Sequence, residues 1–94
     1  MEPFKFDKRT DALFETVLRL KTVADAEVFF RDLCTVSEIK DMRDRWEMAR
    51  LIADGVSYRE ISLKLKVSTA TVCRVASWLN NGTGGYKLMM KGKS

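Results

Sequence analysis

The stretch Ser57–Leu79 constrains the fold more than any other part of the chain. Ser57 and Glu60 have the spacing of a capping box, in which each side chain bonds a free N–H group of the first helical turn. Ser68 is placed to cap a second helix, and residues 66–68 would form a tight turn between the two. The apolar positions that would pack these helices together are Ile61, Leu65, Val67, Val72 and Val75. The pattern predicts a helix-turn-helix.

Charge is divided unevenly along the 94 residues, whose formal net charge is +4. Residues 1–55 hold 10 Lys and Arg against 12 Asp and Glu, whereas residues 56–94 hold 7 Lys and Arg and a single acid, Glu60, which gives +6. A basic half that coincides with a helix-turn-helix is typical of a nucleic-acid contact; a generally basic, solvated surface is the alternative. Because the second helix of such a motif enters the major groove, the predicted partner is double-stranded DNA.

The residues predicted to contact DNA lie on and beside the second helix of the motif. The N-terminal residues of such a helix reach base edges, through hydroxyl groups or through methyl contacts with thymine. Those assigned to bases are Thr69, Ala70 and Thr71. The neighbouring cations suit phosphates, and they are Arg59, Lys64 and Lys66. Arg74 is assigned to DNA, to the pocket described below, or to both. An ordinary exposed side chain is the alternative at each position.

The rest of the chain reads as helical, and no segment reads as a strand. Apolar residues at helical spacing predict helices over residues 7–20, 23–34 and 36–54, with Thr22 as an N-cap, Thr35 and Glu38 as a second capping box, and Gly55 as a C-terminal stop. The third helix would turn inward Ile39, Met42, Trp46, Ala49, Ile52 and Ala53. We therefore predict one all-α domain, residues 1–94, with dimerising helices over 7–55 and the helix-turn-helix over 57–79.

The two ends of the chain are predicted to be irregular. Residues 1–6, with Pro3, Phe4 and Phe6, form a loose arm that lies on another surface. Residues 80–94 form a glycine-rich turn and a basic tail, whose lysines are Lys87, Lys91 and Lys93. Residues 86–90 form either a short helical turn or a docked arm, and the last few residues are expected to be disordered.

Large apolar side chains in the first two helices predict a homodimer. The largest are Leu13, Phe14, Phe29 and Phe30, and each aromatic ring offers about 150–250 Å² for burial. A chain of this size has little core of its own to cover them, and apolar faces that a monomer cannot bury mark association sites. The alternative is a compact monomer with these side chains inside.

Several classes of function are disfavoured by what the sequence lacks. There is no histidine, which excludes His-ligated metals and Ser-His or Cys-His catalysis. Cys34 and Cys73 are too far apart for a Cys-x-x-Cys site, and both are predicted to be small buried or half-buried residues. No apolar run reaches the roughly 20 residues of a membrane span, and no signal peptide is recognisable. We expect a cytoplasmic protein that is not an enzyme.

From Thr35 to Leu79 the chain resembles the tryptophan repressor family. The markers are Thr35-x-x-Glu38, Arg45, Gly55, Ser57-x-Arg59-Glu60-Ile61 and Ala70-Thr71-Val72-x-Arg74. The ending Trp78-Leu79-Asn80-Asn81-Gly82-x-Gly84-Gly85-Tyr86 is similar to that of the YerC/YecD branch. The resemblance implies an intertwined all-helical homodimer, with a helix-turn-helix, that binds a palindromic operator and regulates transcription as a repressor.

The resemblance also implies an effector pocket. In the tryptophan repressor the amino acid lies between two arginines, which by position match Arg45 and Arg74, with Thr35 nearby. Two positions depart from that pattern: Val75 replaces a glycine beside the indole, and Trp78 replaces a serine. Both side chains are expected to fill the pocket, with Trp78 as a substitute for the indole. Whether tryptophan or a related corepressor binds this pocket therefore stays open. For Arg45, an ion pair with Asp41 or Asp44 is the alternative role.

Two further classes remain as alternatives. The motif also resembles the N-terminal DNA-binding part of transposases, although such a protein needs a catalytic domain with clustered carboxylates. A protein-binding adaptor could use the helix-turn-helix shape without DNA. An acidic second half would favour the adaptor, whereas residues 56–94 are basic.

Overall fold

The computed structural model describes residues 4–91, and this part of the chain contains helices and no strand. Pro3, Lys93 and the predicted disordered end lie outside the described residues. The helices are α1 (Lys8–Val17), α2 (Val23–Leu33), α3 (Val36–Ala53), α4 (Tyr58–Leu65), α5 (Thr69–Asn81) and α6 (Gly85–Met90). The all-α prediction is confirmed.

The predicted caps fix where the helices begin. Thr22, Ser57 and Ser68 each accept a hydrogen bond from the backbone N–H three residues later. At Thr35 the capping box is complete: the Glu38 N–H donates to the Thr35 hydroxyl at 3.1 Å, and the Glu38 carboxylate accepts from the Thr35 N–H at 2.8 Å. At Ser57 the described residues show the first of these two bonds only.

Two helix ends differ from the prediction. α1 ends at Val17 and not near Leu20, because the N–H groups of Arg19 and Leu20 donate to carbonyls three residues back, which tightens the last turn. α5 continues to Asn81, two residues past its expected end. It ends at Gly82, where a side chain could not fit, since a Cβ would lie 2.4 Å from the carbonyl oxygen of Trp78.

The chain divides into two compact units, and the boundary follows Ile39 in the first turn of α3. The prediction of a single domain over residues 1–94 stays a prediction. In the N-terminal unit no residue from position 4 to position 39 is buried. Phe6 contacts both Phe4 and Phe14, with ring centroids 4.9 and 5.9 Å apart, yet all three residues remain exposed. The N-terminal unit therefore has no core of its own.

The C-terminal unit has a small core that joins α3 to the helix-turn-helix. Its fully buried members are Met48, Ala49, Ile61, Val72 and Val75, and Leu65 and Val67 pack against them. The predicted packing between the two helices of the motif is thus confirmed. The prediction of which α3 residues face the core was partly wrong, because Met42 and Ala53 are exposed. The core begins at Met48, about 9 Å further along the helix than Met42, and Ala53 is the last residue of α3.

The turn of the helix-turn-helix is closed by two hydrogen bonds. Lys66 adopts a left-handed conformation, φ +58°, and is the one residue other than glycine with positive φ in the described chain. The Val67 N–H donates to the Ser62 carbonyl, and the Ser62 hydroxyl donates to the Val67 carbonyl. These two hydrogen bonds therefore fix the turn that joins α4 to α5.

Candidate DNA-binding surface and adjoining cavities

The exposed face of the helix-turn-helix carries cations that have no acidic partner among residues 4–91. Arg59, Lys64, Lys66 and Arg74 are all exposed. The two ion pairs in this part of the chain, Arg43–Asp44 and Arg50–Glu47, both lie on α3. Unpaired cations beside a helix N-terminus are suited to phosphate oxygens. The four cations predicted for DNA thus lie where phosphates could reach them.

The three residues assigned to bases at the start of α5 differ in their exposure to solvent. Thr69 and Ala70 are exposed, whereas Thr71 is half-buried. The Thr71 hydroxyl shares a 2.8 Å hydrogen bond with the Ser68 hydroxyl, and its N–H donates to the same oxygen. Thr71 therefore contributes to the cap, and the freely exposed pair is Thr69 and Ala70.

Cys73 and Ser77 are exposed on the same side of α5 as Thr69. Cys73 is exposed, so its prediction as a buried or half-buried residue was wrong, while Cys34 is half-buried as expected. The reason is the helical period: α5 buries Val72, Val75, Ala76 and Leu79. The signal was present in the sequence, because Thr69, Cys73 and Ser77 are four residues apart and so share one face.

A cavity of about 280 Å³ lies beside this surface. We call it the arginine cavity; its walls include Arg45, Arg74, Val75 and Trp78, together with Asp41, Asp44 and Thr71. Four of the five residues predicted for an effector pocket are thus brought together. Val75 and Trp78 line the cavity and leave it open. The fifth, Thr35, belongs to the N-terminal unit, where its side chain caps α3.

Arg45 does not make the ion pair considered for it, within residues 4–91. Asp44 pairs with Arg43 at 2.9 Å, and the Nε of Arg45 donates to the backbone carbonyl of Asp41 at 3.3 Å. The preference of Asp44 for its immediate neighbour leaves the charge of Arg45 uncompensated. Arg45, Arg74 and Asp41 therefore line the cavity without an ion pair among the described residues.

A second, larger concavity of about 550 Å³ lies against α6. We call it the aromatic groove; it is lined by Trp46, Trp78, Gly82, Thr83, Gly85, Tyr86 and Met89. Tyr86 stacks on Trp46, with ring centroids 6.3 Å apart and planes 24° apart, so residues 85–90 form a docked short helix. Trp78 lines both concavities. Sequence reasoning missed this groove, although both tryptophans of the chain are in it.

Within residues 4–91, no helix has the length and the apolar character needed to cross a membrane. The fold and the exposed basic motif define a helix-turn-helix protein of the DNA-binding class. The family model described as "Trp repressor protein" matches residues 8–94. The chain therefore belongs to the Trp repressor family, which is a family of DNA-binding regulators and not of enzymes.

Individual relatives agree with this assignment. The chain is 39% identical over 83 residues to the uncharacterized protein YerC of Bacillus subtilis (strain 168), covering 88% of this chain and 80% of YerC. A TrpR-like protein from Eubacterium eligens ATCC 27750 is 35% identical with a TM-score of 0.87, covering 90% of this chain and 88% of the other. A candidate Trp repressor from Staphylococcus aureus is 34% identical with a TM-score of 0.84, covering 89% and 84%. The resemblance to the YerC branch is confirmed.

Proposed function

We propose that this protein is a sequence-specific transcriptional regulator that binds a palindromic operator as a homodimer and acts as a repressor. The observation that carries the proposal is the helix-turn-helix itself, where four exposed cations without an ion pair in residues 4–91 lie on α4, the turn and α5, and where Thr69 and Ala70 are exposed at the start of α5. Phosphate contacts would position the motif, and Thr69 and Ala70 would contact bases. A protein with this role works in the bacterial cytoplasm, on the nucleoid, and catalyses no reaction.

The homodimer is supported by the N-terminal unit. Phe4, Leu18, Val23 and Val28 each expose between 66% and 83% of their surface, and residues 4–39 include no buried side chain. Apolar surface of this extent needs a partner. A two-fold dimer would place two copies of α5 about 34–36 Å apart, one DNA turn, on a palindromic site.

The decisive experiment is selection of bound sequences from random DNA by the purified protein. A sequence-specific dimer is expected to enrich an inverted repeat whose half-sites are one helical turn apart. Enrichment of a single, non-repeated site would favour the transposase-type module. Failure to enrich any sequence would favour the adaptor. The selection is run with and without tryptophan, and we expect the same operator in both, because Val75 and Trp78 stand where the tryptophan repressor has a glycine beside the indole and a serine.

Lys66 provides the sharpest test of the phosphate contacts. Lys66→Ala is expected to weaken binding on all DNA sequences and to reduce the slope of log K against log salt by about 1. Lys21→Ala removes the same charge from an exposed position in the acidic half and serves as the matched control. An unchanged salt slope for Lys66→Ala would argue against a phosphate contact there.

A further inference from the structure

Another concavity, of about 440 Å³, lies where α3 passes the turn of the helix-turn-helix. We call it the turn cavity; its walls include Arg43, Asp44, Glu47, Lys64, Leu65 and Lys66. Leu65 packs against the core of the C-terminal unit, and two hydrogen bonds between Ser62 and Val67 close the turn. The backbone positions of Lys64 and Lys66, one on each side of Leu65, are therefore fixed by the fold.

The charges on the wall of the turn cavity do not cancel. Both acids of the wall already have a partner: Asp44 pairs with Arg43 at 2.9 Å, and Glu47 pairs at 3.0 Å with the arginine three residues further along α3. The two lysines of the wall have no ion pair within residues 4–91. The cavity therefore keeps an excess of positive charge, which suits an anionic ligand.

Arg43 adds donors from α3 to the two lysines of the motif. Its side chain exposes 63% of its surface, and its Nε donates to Asp44. Its two terminal nitrogens have no hydrogen-bond partner among the described residues. A guanidinium group carries five N–H donors in a planar fork, so one edge can hold a carboxylate while the other binds a phosphate. Arg43 can thus keep its ion pair and still bind an anion in the cavity.

We propose that the turn cavity holds one phosphate group of the DNA backbone, bound jointly by Lys64 and Lys66 of the motif and by Arg43 of α3. This inference rests on the DNA binding of the proposed function and extends the contact surface to a helix outside the motif. Lys66 precedes Thr69 by three residues, so a duplex contacted at the start of α5 presents its backbone to the cavity. The contact carries no sequence information, but it fixes the orientation of α5 on the duplex.

Two arginines of α3 provide a matched test. Arg43 and Arg50 each pair with an acid of the cavity wall, but Arg43 lines the cavity and Arg50 does not. Arg43→Gln is expected to weaken binding to every duplex at least about fivefold, and to reduce the slope of log K against log salt by up to about 1. Arg50→Gln removes the same charge and also frees an acid of the wall, yet it is expected to leave the salt slope unchanged. Equal effects of the two substitutions would overturn the proposal.

A double-mutant cycle tests whether Arg43 and Lys66 hold the same phosphate. In that case Arg43→Gln combined with Lys66→Ala should reduce the salt slope by about 1 in total, and the two losses of affinity should be less than additive. Arg43→Gln combined with Arg59→Ala is the control, because Arg59 is exposed at the other end of α4 and does not line the cavity. Losses in that pair should be additive. Additive losses in both pairs would mean separate phosphates and would overturn the shared site.

The same measurements separate failure of this inference from failure of the proposed function. Operator binding that Lys66→Ala weakens and Arg43→Gln leaves unchanged would overturn the contact from α3, while DNA binding by the motif would stand. A wild-type protein that binds no duplex would overturn both. Far-ultraviolet circular dichroism checks that the variants keep the wild-type helix content, which is expected because neither Arg43 nor Arg50 is buried.

Discussion

Asp7 is the N-cap of α1, and its carboxylate is the acceptor for two hydrogen bonds from one residue. The Thr10 backbone N–H and the Thr10 hydroxyl both donate to it at 2.8 Å. Both bonds favour the charged carboxylate and so hold the pKa of Asp7 below its ordinary value. The bond from the backbone N–H has the larger effect. The cap therefore contributes to helix stability above the ordinary carboxyl pKa, and the contribution is lost as the pH falls through the lowered pKa.

Thr10→Val tests which bond lowers the pKa of Asp7. The substitution removes the hydroxyl donor and keeps the backbone N–H, so the pKa of Asp7 should rise only part of the way to its ordinary value. Carboxyl-carbon NMR titration of the wild type and the variant measures the difference. A return to the ordinary value would mean that the hydroxyl, and not the backbone, is the dominant donor.

At the scale of single residues, the sequence predicts the caps because they depend on local spacing. Thr22, Thr35 and Ser68 are read correctly from three or four neighbouring residues. The environment of Thr71 could not be predicted in this way. Its hydroxyl forms a hydrogen bond with the Ser68 hydroxyl, but the local spacing is equally compatible with a hydroxyl that faces solvent. The sequence likewise does not show which neighbouring arginine pairs with Asp44, because only side-chain geometry decides between Arg43 and Arg45.

α4 shows how strongly one helix separates its two faces. Ile61 is completely buried in the core, and Leu63, two residues later, exposes 71% of its surface. Ile61→Ala should lower the free energy of unfolding by about 2–5 kcal/mol, because it removes packing and leaves a cavity. Leu63→Ala should change it by less than about 0.5 kcal/mol. Urea unfolding at one protein concentration measures both, and similar losses would contradict the assigned face.

At the scale of elements, helical periodicity predicts which helices exist but not which residues of α3 the neighbouring helices cover. The apolar stripe of α3 includes Met42, Met48 and Ala49, and periodicity alone does not show that the core begins at Met48. The aromatic groove was missed for a similar reason: its walls come from α3, α5 and α6, which are separated along the chain. Contacts between distant segments are the part of the fold that local patterns do not encode.

At the scale of the whole molecule, the absence of buried residues between positions 4 and 39 ties stability to association. In the proposed homodimer, folding of the N-terminal unit is coupled to protein concentration. The melting temperature should rise by about 3–5 °C for each tenfold increase in concentration, which corresponds to about 1.4 kcal/mol. Scanning calorimetry over two decades of concentration tests this, and a constant melting temperature would indicate a monomer.

Lys66 combines a strained backbone with a charge that the proposed DNA complex uses. A left-handed conformation costs a non-glycine residue about 1–2 kcal/mol, and glycine is the residue usually found at such a helix end. Lys66→Gly should therefore stabilise the free protein by up to about 1 kcal/mol, after allowance for the greater flexibility of glycine in the unfolded chain. The same change should weaken operator binding. Laboratory evolution for heat resistance alone would then replace Lys66 early and weaken the proposed DNA binding, whereas selection for that binding would retain Lys66.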